Sequence, residues 1–166
     1  MLPELVWKKR PFEIRNLLNP AFCAVLLHKA VKTYCEESKQ NMPYPLVFLV
    51  LPLIFPKKIR DTLPKRVDKS FNDWIQENSL NLLDFDQIIR FLCPYTKEAI
   101  IFAMQFHCLE IEKDGHISYD YLSKPTIIWN NDSESVDCYK EAKFLGYWFA
   151  HTGTTAIIFK SLGVRL

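Results

Sequence analysis

The residues best suited to chemistry in this chain are few. They are His107 beside Cys108, the acid pairs Asp84/Asp86 and Glu110/Glu112, and the cluster His151-Thr152-Gly153-Thr154-Thr155. A cysteine with a histidine suggests a thiolate nucleophile and its base. Neighbours on a helix point about 100° apart, so these two would not meet, and Cys108 reads as packing. Paired carboxylates suit a metal ion or acid–base work. Asp84 and Asp86, however, stand at a predicted helix start, where the dipole favours them, and Glu110 and Glu112 alternate outward on a predicted strand. His151 and its threonines read as a helix C-terminus that Gly153 closes. A small enzyme would need His151, Thr152 and Thr154 to converge with an acid in a pocket.

No phosphate-binding glycine loop, nucleophile elbow or His-Glu-x-x-His motif occurs in the sequence. The five cysteines (Cys23, Cys35, Cys93, Cys108, Cys138) are odd in number and lack a Cys-x-x-Cys pair. That spacing argues against both a disulfide framework and a zinc site. His28 has no second metal ligand one turn away and reads as a surface histidine. No catalytic residue, metal or cofactor is expected, so the chain reads as a binding protein. The N-terminus carries an early acid and no apolar leader, and no apolar run approaches the about 20 residues of a membrane span. A cytoplasmic protein with no membrane contact is expected.

The elements that would position these residues are mostly helical. Leu46 to Phe55 is ten apolar residues without a break. Pro45 fits a first helical turn and Pro52 would bend or end the helix, so the run reads as a short helix buried on all sides. Asn19-Pro20 opens the strongest helix, with Cys23, Leu26, Leu27, Ala30, Val31 and Tyr34 on one face, ending near Glu37. Asp68 or Ser70 caps a short helix through Phe71, Trp74 and Ile75. Asp84 or Asp86 opens another that Pro94 ends. Thr96 starts the next, with Ile100, Ile101, Met104 and Cys108 facing inward. Asp114-Gly115 between two alternating segments marks a β-hairpin. Asp132 or Ser133 caps a helix with Cys138, Ala142, Leu145, Trp148 and Phe149 on one face. A last short helix, 154–162, is closed by Gly163.

The expected fold is one mainly α, minor α+β domain over 1–166. It comprises a basic N-terminal arm (1–17, with Trp7, Phe12 and Ile14 as anchors) and a helical core (18–166). Helices followed by a hairpin at 109–121 give it a winged-helix-like character. The charge is divided: residues 1–70 carry +7 and residues 71–166 carry −5. Such asymmetry points to an acidic protein surface or to nucleic acid. The predicted groove-facing helix, 96–107, is poor in groups that read base edges, and the hairpin is acidic. A free-standing winged-helix DNA-binding protein is therefore the second reading.

Several stretches resemble the middle component of ABC three-component systems. They are 19–27 (Asn-Pro-Ala-Phe-Cys-Ala-Val-Leu-Leu), 45–55, 71–78 (Phe-Asn-Asp-Trp-Ile-Gln-Glu-Asn), 142–150 and the closing Leu162-Gly-Val-Arg. They follow the family's order over most of the chain. The resemblance implies an accessory subunit of Lamassu-type prokaryotic antiphage or plasmid defence, standing between an SMC/Rad50-like ABC ATPase and an effector, often a nuclease. DNA would be reached through the complex. It implies no catalytic residue. It makes the basic loop (Lys57, Lys58, Arg60, Lys65, Arg66) a candidate contact with an acidic partner or DNA backbone. The apolar end (Phe149, Phe159, Leu162, Val164, Leu166) would pack at a subunit interface or fill the core.

Overall fold

A computed structural model describes residues 18–123, 125 and 133–164. The arm 1–17, Asp132, the side chain of Ser133, and Leu166 lie outside the described residues. Helix α1 (Pro20–Ser38) begins as its sequence dictates: the Asn19 side chain accepts from the amides of Ala21 and Phe22, and Pro20 fills the first turn. It ends on Lys39, a left-handed residue (φ 60°) whose N–H reaches the Cys35 carbonyl. Strand β1 (Met42–Pro43) leads into α2 (Tyr44–Ile54), the apolar run, with Leu46, Val47 and 49–54 all buried. Pro52 sits inside α2 without ending it.

A single turn, α3 (Lys57–Arg60), is followed by α4 (Phe71–Glu77), which Ser70 caps through the Asp73 amide, and a 3-10 turn (Ser79–Leu82). Helix α5 runs unbroken from Phe85 to Gln105. The expected stop at Pro94 does not occur. Pro94 lies on the exposed side, and Arg90, whose carbonyl loses its donor, is itself exposed, so water can serve it. Strands β2 (Leu109–Ile111) and β3 (His116–Tyr119) form the hairpin about Gly115 (φ +80°). β1 adds to the far side of β3, giving an antiparallel sheet in the order β1-β3-β2 with Met42 opposite Ile117. Helix α6 (Ser133–His151) buries Cys138, Ala142, Leu145, Trp148 and Phe149, the face read from its spacing. Helix α7 (Thr155–Ser161) is capped by Thr154, and Gly163 follows it at φ +68°.

The result is one mainly helical domain whose core α1, α2, α5 and α6 share. Gly146 of α6 lets the two long helices touch: a Cβ there would stand 2.4 Å from the Ala30 carbonyl oxygen and 2.8 Å from Thr33 Cβ. No helix among the described residues is long and apolar enough to cross a membrane.

His28 corrects the expectation of a surface histidine. It is only 6% exposed, because β3 covers a second side of α1 and Tyr119 meets the imidazole edge-on. Its buried Nε2 has no hydrogen-bond partner among the described residues. Burial first, and then the charges of Lys32 and Lys29, push its pKa down to about 4. A histidine that titrates lower folded than unfolded supports the fold fully above about pH 6.5 and loses that support as pH falls through about 4. The loss should approach about 3 kcal/mol in acid. Urea melts across this range should show a steeper acid decline in the native protein than in His28→Phe. Parallel pH curves would refute the assignment.

Candidate interaction surfaces

Of the residues with chemical potential, His151 and Thr152 line a small cavity of about 270 Å³ with Asp68, but Thr154 is not in its lining. His107 is exposed in a left-handed conformation, whereas the Cys108 thiol accepts from the Ser123 hydroxyl at 3.0 Å. Asp86 pairs with Arg90 at 3.0 Å and Glu112 accepts from the Ser118 hydroxyl. His151 turns Nδ1 to the Tyr147 carbonyl and Nε2 to Glu37. No group of three or more His, Cys, Asp or Glu placed to hold a metal ion occurs among the described residues.

The basic run 57–69 divides into two kinds of residue. Lys57, Lys58, Lys65 and Arg66 are exposed; Lys57 pairs with Asp61 at 3.3 Å, Lys65 with Glu141 at 3.6 Å and Arg66 with Asp68 at 3.0 Å. Arg60 is not a surface cation. It is 4% exposed and its guanidinium donates to the Ile54 carbonyl at 2.9 Å, the Cys138 sulfur at 3.4 Å and Glu134 Oε1 at 2.7 Å. Its place in a contact surface is thereby corrected to a clasp joining the end of α2 to the start of α6. Burial opposes its charge, but the Glu134 hydrogen bond and the neighbouring Cys138, Glu134 and Asp61 turn the net pKa shift upward.

Two indoles fix the ends of the exposed segment. Trp74 Nε1 donates to the Thr62 carbonyl and Trp148 Nε1 to the Lys69 carbonyl, each at 2.9 Å. Phe71 packs on both rings, and the two indoles meet edge-on at 5.5 Å. The aromatic core thus sets where Lys65 and Arg66 project. Across from them Lys140, Lys143, Phe144 and Tyr147 run down the outer face of α6 and complete a groove of about 510 Å³. The two α6 lysines escaped the sequence reading because they are separated along the chain by Glu141 and Ala142; only the helix turn places them on one face.

The outer face of α5 was misjudged in the same way. Ile101 and Met104, expected inward, are 52% and 38% exposed, while Leu92, Thr96, Ala99, Ile100 and Ala103 form the buried stripe. Phe91, about three turns earlier and rotated away from Met104, is 56% exposed, and Phe106 stands exposed just beyond the helix end. A second, larger groove of about 970 Å³ is lined by Leu18, Phe22, Phe55, Ile88 and Phe91, with Arg60 and Glu134 in its wall. At the apolar end, Phe149 and Phe159 are buried in the core, and Leu162 and Val164 pack against it half-buried.

Fold and surfaces together describe a helical domain whose notable outward features are apolar and basic faces. The chain belongs to the ABC-three component (ABC-3C) system Middle Component 3 family, whose model matches residues 7–166. It is therefore a middle component of a multi-component system, and partner subunits follow from that membership. No curated protein and no solved structure gave a match.

Proposed function

We propose that this chain is a non-catalytic accessory subunit that links an SMC/Rad50-like ABC ATPase to an effector, such as a nuclease, in a Lamassu-type defence complex of the cytoplasm. The observation that carries this reading is the last turn of α5, where Ile101 and Met104 meet solvent beside the exposed Phe106. Large apolar side chains grouped on one helix face are the mark of a protein-contact surface.

The order α1, β1, α2, α5, β2, β3, with sheet order β1-β3-β2, supports a winged-helix frame into which residues 57–84 are inserted. In such a frame α5 would be the helix offered to a DNA groove. Its outer face breaks Gln87, Arg90 and Lys97 apart with apolar residues, and Arg90 is paired with Asp86. That favours protein contact over base readout. Lys57 and Lys58 form a second contact, with an acidic partner surface.

The test is affinity purification of the tagged chain expressed with its neighbouring operon genes. A large coiled-coil ATPase and an effector should be recovered together with it, and Ile101→Asp with Met104→Asp should lose at least one of them while the chain stays folded. Recovery of the chain alone would overturn the adaptor reading.

A further inference from the structure

We infer that the groove between residues 65–68 and the outer face of α6 is a binding site for the phosphodiester backbone of single-stranded nucleic acid, with a base resting against Tyr147. The inference rests on this groove and not on the adaptor reading.

The cations come from separate parts of the fold. Lys65 and Arg66 stand on one side, Lys140 and Lys143 on the other. Lys65 and Arg66 have carboxylate partners in Glu141 and Asp68. Lys140 and Lys143 have no carboxylate within 4.0 Å among the described residues. The groove therefore keeps a net positive charge that its own walls do not neutralise. Crowding continues past its rim: burial first, and then the charges of Lys143 and Lys32, lower the pKa of Lys29 on α1. Glu36, on Lys32 at 3.9 Å, is the nearby opposing charge. Like charges held this close by two packed helices raise the local potential, and a polyanion relieves it.

The spacing suits a phosphate chain. Lys140 and Lys143 are three residues apart on a helix, so their side chains leave the surface about 5–6 Å from one another. Tyr147 follows one turn below Lys143 on the same face, 36% exposed, and stacks parallel to His151. A cationic groove that tracks a backbone, with an aromatic ring beside it, is how single strands are held without sequence readout. Lysines here act as point charges, which suits phosphates presented in varied directions.

Fluorescence anisotropy with a fluorescein-labelled oligothymidine of about 30 nucleotides tests this on the full chain. Binding should weaken with salt, and Lys140→Ala with Lys143→Ala should lower the slope of log affinity against log salt by about 1.4. At about 50 mM salt the same pair should cost roughly 10- to 100-fold in affinity. Lys57→Ala with Lys58→Ala should change little. Tyr147→Ala should weaken the oligothymidine further without altering the slope. Both lysine pairs are exposed, so unchanged melting temperatures would show that all variants fold. The inference is overturned if no binding appears at low salt, if the Lys57/Lys58 pair matters as much as the Lys140/Lys143 pair, or if duplex DNA of the same length binds equally well. It is also overturned if polyglutamate of matched charge competes as effectively, which would assign the groove to an acidic polypeptide.

Discussion

Gly146→Ala should lower the unfolding free energy by about 2–3 kcal/mol, and Gly146→Leu should leave no folded protein. Alanine in a helix interior ordinarily gains about 1 kcal/mol over glycine, so a loss runs against propensity and reports packing. The reason is the close approach of α1 and α6. The added carbon would meet the Ala30 carbonyl oxygen at 2.4 Å, Thr33 Cβ at 2.8 Å and the Tyr34 amide nitrogen at 3.0 Å. Two of these are backbone atoms of a buried helix and the third is the β-carbon of a side chain anchored on the Lys29 carbonyl. None can swing aside, so the helices must part and the core between them opens. Thermal melts should show a fall of roughly 5–10 °C for the alanine variant. An unchanged or raised midpoint would mean that α1 and α6 lie farther apart.

Arg60→Ala should cost about 3 kcal/mol, more than any other single change in the basic run. The substitution leaves the Ile54 carbonyl, at the buried end of α2, without the guanidinium it receives, and it removes the side chain that spans to Cys138 and Glu134. Arg60→Lys should recover less than half, because one ammonium cannot reproduce a fork that serves three acceptors. Glu134→Ala should cost less, about 1 kcal/mol, since the Glu134 side chain is 60% exposed and water can take its place. Equal losses in Arg60→Ala and Lys58→Ala would refute the clasp. Charge reversal to map a partner on this segment should therefore use Lys57, Lys58, Lys65 and Arg66 and spare Arg60, whose loss would be read as a lost interface when it is a lost fold.

Local signals carried much of the architecture. Asn19-Pro20 fixed the start of α1, Asp114-Gly115 the hairpin, and the spacing from Cys138 to Phe149 the buried face of α6, because each is decided within one or two turns of chain. What long-range packing decides was not legible. Nothing in the sequence near Arg60 distinguishes it from Lys57 or Lys58; Glu134 and Cys138, more than seventy residues away, join the Ile54 carbonyl in holding it inward. Two-residue β1 is too short to carry a period, and its pairing with β3 alone defines it. His28 was misplaced because that same sheet covers a side of α1 that the helix's own stripe leaves open. Ile101 and Met104 look like core residues by type, and their exposure is visible only once Leu92, Thr96 and Ala99 set the phase of α5.

The proline of β1 has a consequence for how molecules of this chain meet one another. The Tyr44 amide donates to the Gly115 carbonyl across the sheet, so by the alternation of a strand the nitrogen of Pro43 points the other way, toward the open side. That nitrogen carries no hydrogen. Among the described residues the outer margin of β1 thus offers an incoming strand no donor at Pro43, which disfavours growth of the sheet on that side into an intermolecular ladder. In a chain whose surface already carries exposed apolar residues, this blunt margin directs association toward side chains and away from backbone-to-backbone aggregation.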